Sequence, residues 1–564
     1  MKEASRNLLL VTLLVACAES RAATFTVTNT ADTGVGSFRQ AIEDANSNLG
    51  PDEVQFAIQG VGSHVIMTTS PLPEISDPVL IDGYSQAGAT KNSLADGFDA
   101  DLMIILQSTL TIASGGSGST VRGLNIQADT GNAIALVASQ DNKIEGNLLA
   151  GSVNGVSSEA SSSNVVGGPT VAERNHINSN QTGIFFFGVS TQNTVQGNLI
   201  ESNSEAGVDI ECSKENRVMN NEITRNGGPG VAIRNPGAVD NQIADNYIGT
   251  KIFGEIQPNL GDGVVVFVRV EAGTALGINR IVGNTIAYNG GNGVHVAAQD
   301  SDIDTIFTKP VEFLQNSIFD NEKLGIDLGG YCTALGNCFE TTRPTVGVTS
   351  NDQNDSDFGP NNLQNFPELA SATNTLQRTT VTGALRSTPS APFEIELFVS
   401  TECDSTGFGE GESFFGGVTV TSDATGLASF TFVAKPRLPV GHFITATARG
   451  REGTSEFSRC IPVTGMDCDG DGIPDGTDNC AGTPNPTQCD SDTDLIGNHC
   501  DPDFNNDGVV GIPDFNIFRA CFGRLAGQPG FDPRCDLSCD GAVGLPDFNI
   551  FRSFFGRAPG SACP

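Results

Sequence analysis

Asn198-Leu199-Ile200-Glu201-Ser202-Asn203-Ser204-Glu205-Ala206-Gly207-Val208-Asp209-Ile210-Glu211-Cys212-Ser213-Lys214-Glu215-Asn216-Arg217-Val218-Met219-Asn220 is one turn of a repeat, and Asn221-Glu222-Ile223 opens the next. The phrase Asn-x-Ile/Leu recurs at Asn147, Asn175, Asn198, Asn221, Asn246, Asn284 and Asn316, with tightest steps of 23, 23 and 25 residues. A second phrase, Gly-Ile/Val-x-hydrophobic, recurs at Gly183, Gly207, Gly230, Gly263, Gly293 and Gly325. Each unit holds short alternating runs broken by Gly and Asn, which read as strands and turns. One such unit cannot bury its apolar side. Stacked copies can, because inward Ile, Val and Leu then form continuous columns, and a period near 23 residues suits a parallel β-helix. The repeated Asn has two readings at this level: a stacked ladder that bonds neighbouring coils, or a turn residue that tolerates left-handed backbone.

Working outward, the longer steps of 38 and 32 residues imply loops inserted between coils, one of them running from Tyr247 to Leu260. The coils proper occupy residues 116–342, preceded by a capping part and first coils at 24–115. There the stretch Gly36–Asn46 has helical spacing, and a helix at that point would close the open edge of the first coil. Residues 343–378, rich in Asn, Asp, Pro and Thr, read as a loop-rich junction. Alternating runs between Thr379 and Val463 predict a small β-sandwich, which Cys403 and Cys460 can staple. Residues 1–23 read as a signal peptide: Lys2 and Arg6 precede the short apolar run Leu8–Ala18. Leu14-Val15-Ala16-Cys17 offers a competing lipoprotein reading, so the product is secreted, or held at the outer surface by a lipid on Cys17. No other segment is apolar for long enough to be a transmembrane helix.

Charge narrows the partners. The 564 residues carry 30 Lys+Arg against 66 Asp+Glu, a net −36, yet only 17% of residues are charged. The balance comes from scarce bases, and such a field repels phosphate backbones and anionic membranes, which argues against a nucleic-acid partner. With no Trp, a carbohydrate surface built on Trp platforms is excluded as well. Fourteen Cys fit an oxidising compartment. Cys212 stands alone in the middle of the chain and is the candidate unpaired thiol, whereas Cys332 and Cys338 flank a short loop.

Several stretches resemble a family of exported bacterial proteins with right-handed parallel β-helix repeats. They are Phe25-Thr26-Val27-Thr28-Asn29-Thr30, the Gly36–Asn46 stretch, Leu80-Ile81-Asp82-Gly83-Tyr84-Ser85-Gln86, Gly325-Ile326-Asp327-Leu328-Gly329-Gly330 and the segment from Gly359 to Pro367. The stretch Gly36–Asn46 departs from the family's Cys-Ser-Leu-Arg-Glu-Ala form at Gly36, Phe38 and Gln40. The resemblance spans roughly residues 24–465 and implies fold more than activity. β-Helix enzymes that cleave uronic-acid polymers carry their chemistry on the outer face of one strand ladder. This chain has no Asp-Asp, Gly-His-Gly or Arg-Ile-Lys, motifs such enzymes would bring. If Val208, Ile210 and Cys212 point inward, Asp209 and Glu211 point outward, with Arg234 one coil on in the column of Glu211. Two carboxylates beside a guanidinium can hold calcium and abstract a proton, or form a plain surface ion pair. Phe185, Phe187 and Phe267 share those columns, either as a sugar-stacking strip or packed under a loop, and His295 and Asp327 also fall outward.

From Thr464 onward the chain has sixteen Asp and no Glu. At 464–502, Asp469, Asp471, Asp475, Asp478, Asp490, Asp492, Asp494 and Asp501 alternate with Gly, Asn and Cys in a pattern that resembles a thrombospondin type 3 repeat. That resemblance implies calcium in a wrapped loop with Cys480 joined to Cys500. Cys468 and Cys489 depart from the pattern, and are expected to pair with each other. At 503–564 a 22-residue unit occurs twice, offset by 33. Asp503, Asn505, Asp507 and Asp514 fill positions 1, 3, 5 and 12 of a calcium loop, with Val509 giving a carbonyl. The second copy supplies Asp536, Ser538, Asp540, the Ala542 carbonyl and Asp547. Phe515, Phe518 and Phe522, like Phe548, Phe551 and Phe555, have helical spacing and predict helices that pack on each other. The duplicated loop–helix resembles a dockerin, which implies a cohesin-like partner, although Ile512-Pro513 and Leu545-Pro546 replace the usual polar contact pair.

The fold class is therefore mainly β: a right-handed parallel β-helix, a small β-sandwich, and a calcium-binding, disulfide-rich end with two loop–helix units. The leading functional reading is a secreted or surface Ca²⁺-binding protein that binds a glycan or cell-surface component without catalysis. The alternative is a polysaccharide lyase or glycosidase acting on an acidic polymer, with Asp209, Glu211 and Arg234 at its centre. Oligomeric state is not legible.

Overall fold

The computed structural model describes residues 22–234, 237–268, 277–298, 310–332, 338–339, 347–357, 359–374 and 377–560. The expected signal peptide and Cys17 lie outside them. Among the described residues, three sheets of 11, 10 and 10 strands, parallel except for the short Cys338–Phe339 strand at the end of the third, wrap the first part of the chain into a β-helix. Thr194–Gln196, Leu199–Glu201 and Val208–Glu211 give one strand to each sheet, and Arg217–Met219, Glu222–Thr224 and Val231–Arg234 repeat the pattern one coil on. Successive coils are in register. Val195, Val218, Ile243 and Ile281 form one inward column, Ile200, Ile223, Ile248 and Ile286 another, and Ile210, Ile233, Val266 and Val296 a third. All of these side chains are buried. At roughly 1.5–3 kcal/mol per buried aliphatic side chain, these columns are the main stabilising term of the stack.

The Asn residues resolve as ladders. Asn198 Nδ2 donates to Asn221 Oδ1 at 3.1 Å, Asn221 to Asn246 at 3.0 Å and Asn246 to Asn284 at 2.9 Å, each also donating to a backbone carbonyl of its own or the preceding coil. Two further ladders occupy the other corners, one through Asn180, Asn203, Asn226 and Asn259, the other through Asn164, Asn193, Asn216 and Asn241. Left-handed backbone falls on the residue before the Asn, at Gly197, Asn220, Asp245 and Gly283, so ladder and turn are separate duties.

Both open ends of the coil stack are covered. At the start, α1 (Phe38–Ser47) is N-capped by Ser37 and buries Phe38, Ala41, Ile42 and Ala45 against the first coil. Gly36 sits at φ 78°, where a Cβ would collide with Thr28 Oγ1, which accounts for glycine at that position. At the far end the sandwich seals the last coil. Its two sheets contain Glu368–Asn374, Thr379–Arg386 and Leu427–Ala434 on one side and Pro392–Ser400, Ser413–Thr421 and Phe443–Gly450 on the other, joined through Ile461–Thr464. The sandwich and the Pro360–Leu363 turn before it supply the acceptors a next coil would have supplied. Val311 N–H donates to Asn361 Oδ1 (2.8 Å), Phe313 N–H to Thr454 Oγ1 (3.0 Å), Gln315 N–H to Glu396 Oε2 (2.9 Å) and Leu328 N–H to Glu456 Oε1 (2.9 Å). Glu410 Oε1 accepts from Asn321 Nδ2 (3.0 Å) and so takes the next rung of an Asn ladder. Burial pushes the Glu396 and Glu410 carboxyls up to about 7 and Glu456 up to about 8.

Cys403–Cys460 staples the sandwich as expected, and Cys480–Cys500 closes the Asp-rich segment. The expected Cys468–Cys489 bridge is not formed: Cys489 joins Cys539, and Cys521 joins Cys535. The cause is docking of the first Asp-rich segment on the second duplicated loop, where Asn498 Nδ2 donates to the carbonyls of Pro533 (3.0 Å) and Asp536 (3.1 Å). Cys332 and Cys338 face each other across an antiparallel pair, but their side chains lie outside what is described. In the duplicated unit, α2 (Ile512–Cys521) and α3 (Leu545–Phe554) pack through Phe518 and Phe551, ring centroids 5.4 Å apart. The helices stop one residue before Phe522 and Phe555, which are therefore half-exposed and not part of that contact as the spacing had suggested.

Candidate functional site

The outer face of the third sheet carries the residues the repeat phase predicts. Phe185, Asp209, Ala232, Val265, His295 and Asp327 form one outward column, and Glu211 faces Arg234 in the next. Cys212 does not continue inward: the strand ends at Glu211, and Cys212 takes a left-handed turn conformation at φ 49°. Arg234 Nε lies 3.2 Å from Asp209 Oδ1, yet neither atom has a hydrogen bond of acceptable angle, and both are buried. Burial pushes the Asp209 carboxyl up to about 6 against the pull of Arg234, and the Glu211 charge adds to the rise. One coil before this pair, the Phe185 and Phe187 rings stack 4.9 Å apart and only 12° from parallel, both half-exposed. Phe267, by contrast, is buried with Ala232, Val265 and Ala297, and its ring lies 5.6 Å from the Arg234 guanidinium. His295 is buried too. Burial is the largest single influence and lowers its basicity, but the bond and charge of Asp262 (3.2 Å), with Asp327 and the Gly329 carbonyl, together outweigh it and raise the imidazole to about 9. It is held in a fixed charged pair, which removes it as an acid–base candidate.

The second sheet holds a cluster that sequence reading missed. His176 Nε2 contacts Glu201 Oε1 at 3.0 Å, and Arg225 Nη2 contacts Glu201 Oε2 at 2.6 Å. Burial opposes ionisation of Glu201, but the bonds from His176 and Arg225 win and hold it down to about 2. The Phe98 ring lies 5.5 Å from the His176 ring, on a loop that Arg174 Nη1 anchors at the Gly97 carbonyl (3.2 Å). Lys251, from the predicted insertion, meets Asp96 of the same loop at 3.1 Å. Between them Glu222 is buried, 3.6 Å from Arg174. The residues come from separate strands and two loops with no shared motif. The available signal was the clustering of bases in a base-poor chain.

At the C-terminal end the two loops are near-copies. Asp503 accepts from Gly508 N–H (2.7 Å) and Asp507 N–H (3.2 Å), and Asp536 from Gly541 (2.9 Å) and Asp540 (3.2 Å). Asp514 and Asp547, both fully buried, tie each loop to its helix through Asn505 and Gly511, and through Ser538 and Gly544. Asp467, Asp469 and Asp471 converge upstream, as do Asp490, Asp492 and Asp494; Asp467 had not been picked out from the sequence. Burial and the neighbouring Asp494 push Asp501 up to about 7. Buried oxygens of Asp469, Asp478 and Ser538 lack any hydrogen-bond partner, a donor set that fits a hard cation.

A model described as periplasmic copper-binding protein (NosD) matches residues 103–259, and the thrombospondin type 3 repeat model matches residues 460–488. No curated protein matches the chain. Among solved structures, the A-module of the Azotobacter vinelandii mannuronan C-5 epimerase matches at 14% identity over 53% of this chain and 80% of that one, with a TM-score of 0.36. An alginate lyase from Paenibacillus sp. matches at 17% identity over 55% and 99%, TM-score 0.32, and pectate lyase Pel9A at 11% over 55% and 80%, TM-score 0.32. No helix among the described residues is long and apolar enough to cross a membrane.

Proposed function

We propose that this chain is an exported protein that binds and cleaves an acidic polysaccharide on the outer face of its third sheet. The observation that carries the reading is the stacked Phe185–Phe187 pair running directly into the buried Asp209–Arg234 pair. Aromatic rings take the apolar face of a sugar. Arg234 faces the sugar carboxylate, and Asp209, with its carboxyl near 6, moves the proton, Glu211 lying beside it as the second carboxylate. The pair's unsatisfied atoms, Asp209 Oδ1 and Arg234 Nε, favour this over a closed surface ion pair. The net charge of −36 does not forbid a polyanion, since charges beyond about 8 Å are screened at physiological salt and the Asp-rich end holds −11 of the total. The disulfides support an oxidising, extracytoplasmic location.

The Asp loops are assigned to Ca²⁺. All their side-chain donors are oxygens, short carboxylates in tight Gly turns, which suits a hard cation. Copper would need His, Met or Cys donors, and the cysteines beside Asp532 are joined to each other. The test is incubation with uronic-acid polymers, read by reducing ends and by ultraviolet absorbance of unsaturated ends, with Asp209→Asn as control. Binding without product would instead leave a non-catalytic glycan-binding protein.

A further inference from the structure

The outer face of the second sheet has a role that the third-sheet site does not explain. Glu201 binds His176 and Arg225 at once, so both donors are fixed in position. Arg225 is half-exposed, and one guanidinium carries five N–H donors, most of them left over after the bond to Glu201. The Asn178 amide nitrogen lies 2.8 Å from His176 Nε2. With the Nε2–H committed to Glu201, His176 Nδ1 accepts one N–H of that amide at 3.3 Å, and the amide's second N–H is left for a ligand. Outward-facing donors on a rigid base, beside the half-exposed Phe98 ring, lack only an acceptor. The wall is built rather than incidental: Arg174 pins the Phe98 loop, and the Lys251–Asp96 contact joins that loop to the inserted segment.

We propose that this walled face is a second binding site, taking one acidic sugar unit of the polymer. Arg225 and Asn178 bind its carboxylate, and Phe98 covers the ring. This rests on the reading that the ligand is an acidic polysaccharide, and it places a holding site on a different face from the cleaving one. His176 and Glu201 are positioning residues here, because they act through Arg225 and Asn178.

The test is calorimetric titration of the full chain carrying Asp209→Asn and Phe187→Ala, which prevent turnover and weaken the third-sheet site, with oligogalacturonate, oligomannuronate and a neutral oligoglucan of equal length. One of the two acidic probes is expected to bind, the neutral one not. Arg225→Gln should weaken binding roughly tenfold or more, the scale of a lost charge-assisted bond, and steepen no salt dependence. Asn178→Ala should weaken it less, and Glu201→Gln should act like Arg225→Gln although it removes a negative charge. That last sign is opposite to a general electrostatic effect. Melting curves confirm that each variant folds. Binding unchanged in Arg225→Gln, equal binding of the neutral probe, or tighter binding by Glu201→Gln overturns the proposal. The two ideas fail separately: turnover by the native chain with Arg225-independent binding sinks only this site, and Arg225-dependent binding without turnover sinks only the cleavage.

Discussion

Glu396→Gln should make the sandwich-capped β-helix less sensitive to alkaline pH. Glu396 is buried, accepts one backbone N–H from the last coil, and lies near Glu394 and Arg449. Its folded-state carboxyl stands at about 7 against an ordinary 4.5, so the folded form holds the proton more tightly. The linked stability is fully present below about pH 4.5 and is lost as pH rises through about 7. At about 1.4 kcal/mol per pH unit, that loss is about 3 kcal/mol from this side chain. Gln keeps the acceptor oxygen and has no charge to expel. Denaturant melts of the native chain and Glu396→Gln at pH 4.5 and pH 8 should therefore differ little at the lower pH. At the higher one the variant should be more stable by up to about 3 kcal/mol. Glu410 and Glu456 act in the same direction, so the variant keeps a smaller pH slope of the same sign. Equal slopes for both proteins, or a variant less stable at pH 8, would refute the assignment of a neutral carboxyl at the seam.

Asn221→Ala removes donors to Asn246, Val195 and Met219 in a buried corner and should cost about 3 kcal/mol, whereas Asn220→Gly, at an exposed left-handed position, should be near neutral; urea melts compare them. Chelation with EGTA should lower the melting temperature of the C-terminal end and calcium should restore it, by about 2.7 kcal/mol at a hundredfold excess over Kd. No response to either would remove Ca²⁺ from those loops. Phe187→Ala should weaken polymer binding without changing the melting temperature of the coils, since the ring is half-exposed.

The coil was legible because its physics is periodic. A repeat of 23 residues fixes which side chains point inward, and so placed Asp209 and Glu211 outward and Arg234 opposite Glu211 before any coordinates. The duplicated Asp loops were readable for the same reason, since their ligand geometry is local. The Asn was ambiguous because ladder and turn share a composition; only the position of positive φ at Gly197 and Asn220 separates them. Contacts between distant segments were out of reach. Cys489 meets Cys539 because Asn498 docks on the Pro533–Asp536 turn, and nothing in Cys spacing encodes that. The buried glutamates of the cap and the His176–Glu201–Arg225 group belong to the same class: residues with no motif, assembled only when loops and strands are brought together.

Cleavage of an acidic polysaccharide by the native chain and by Asp209→Asn tests the central claim most directly. Native protein should release new ends from at least one uronic-acid polymer, at a rate that rises with pH through about 6 as Asp209 becomes a base. Asp209→Asn should lower that rate by about a hundredfold or more, the usual worth of a positioned proton acceptor, with folding unchanged. No product from any uronic-acid polymer, or equal rates for the two proteins, would contradict the account.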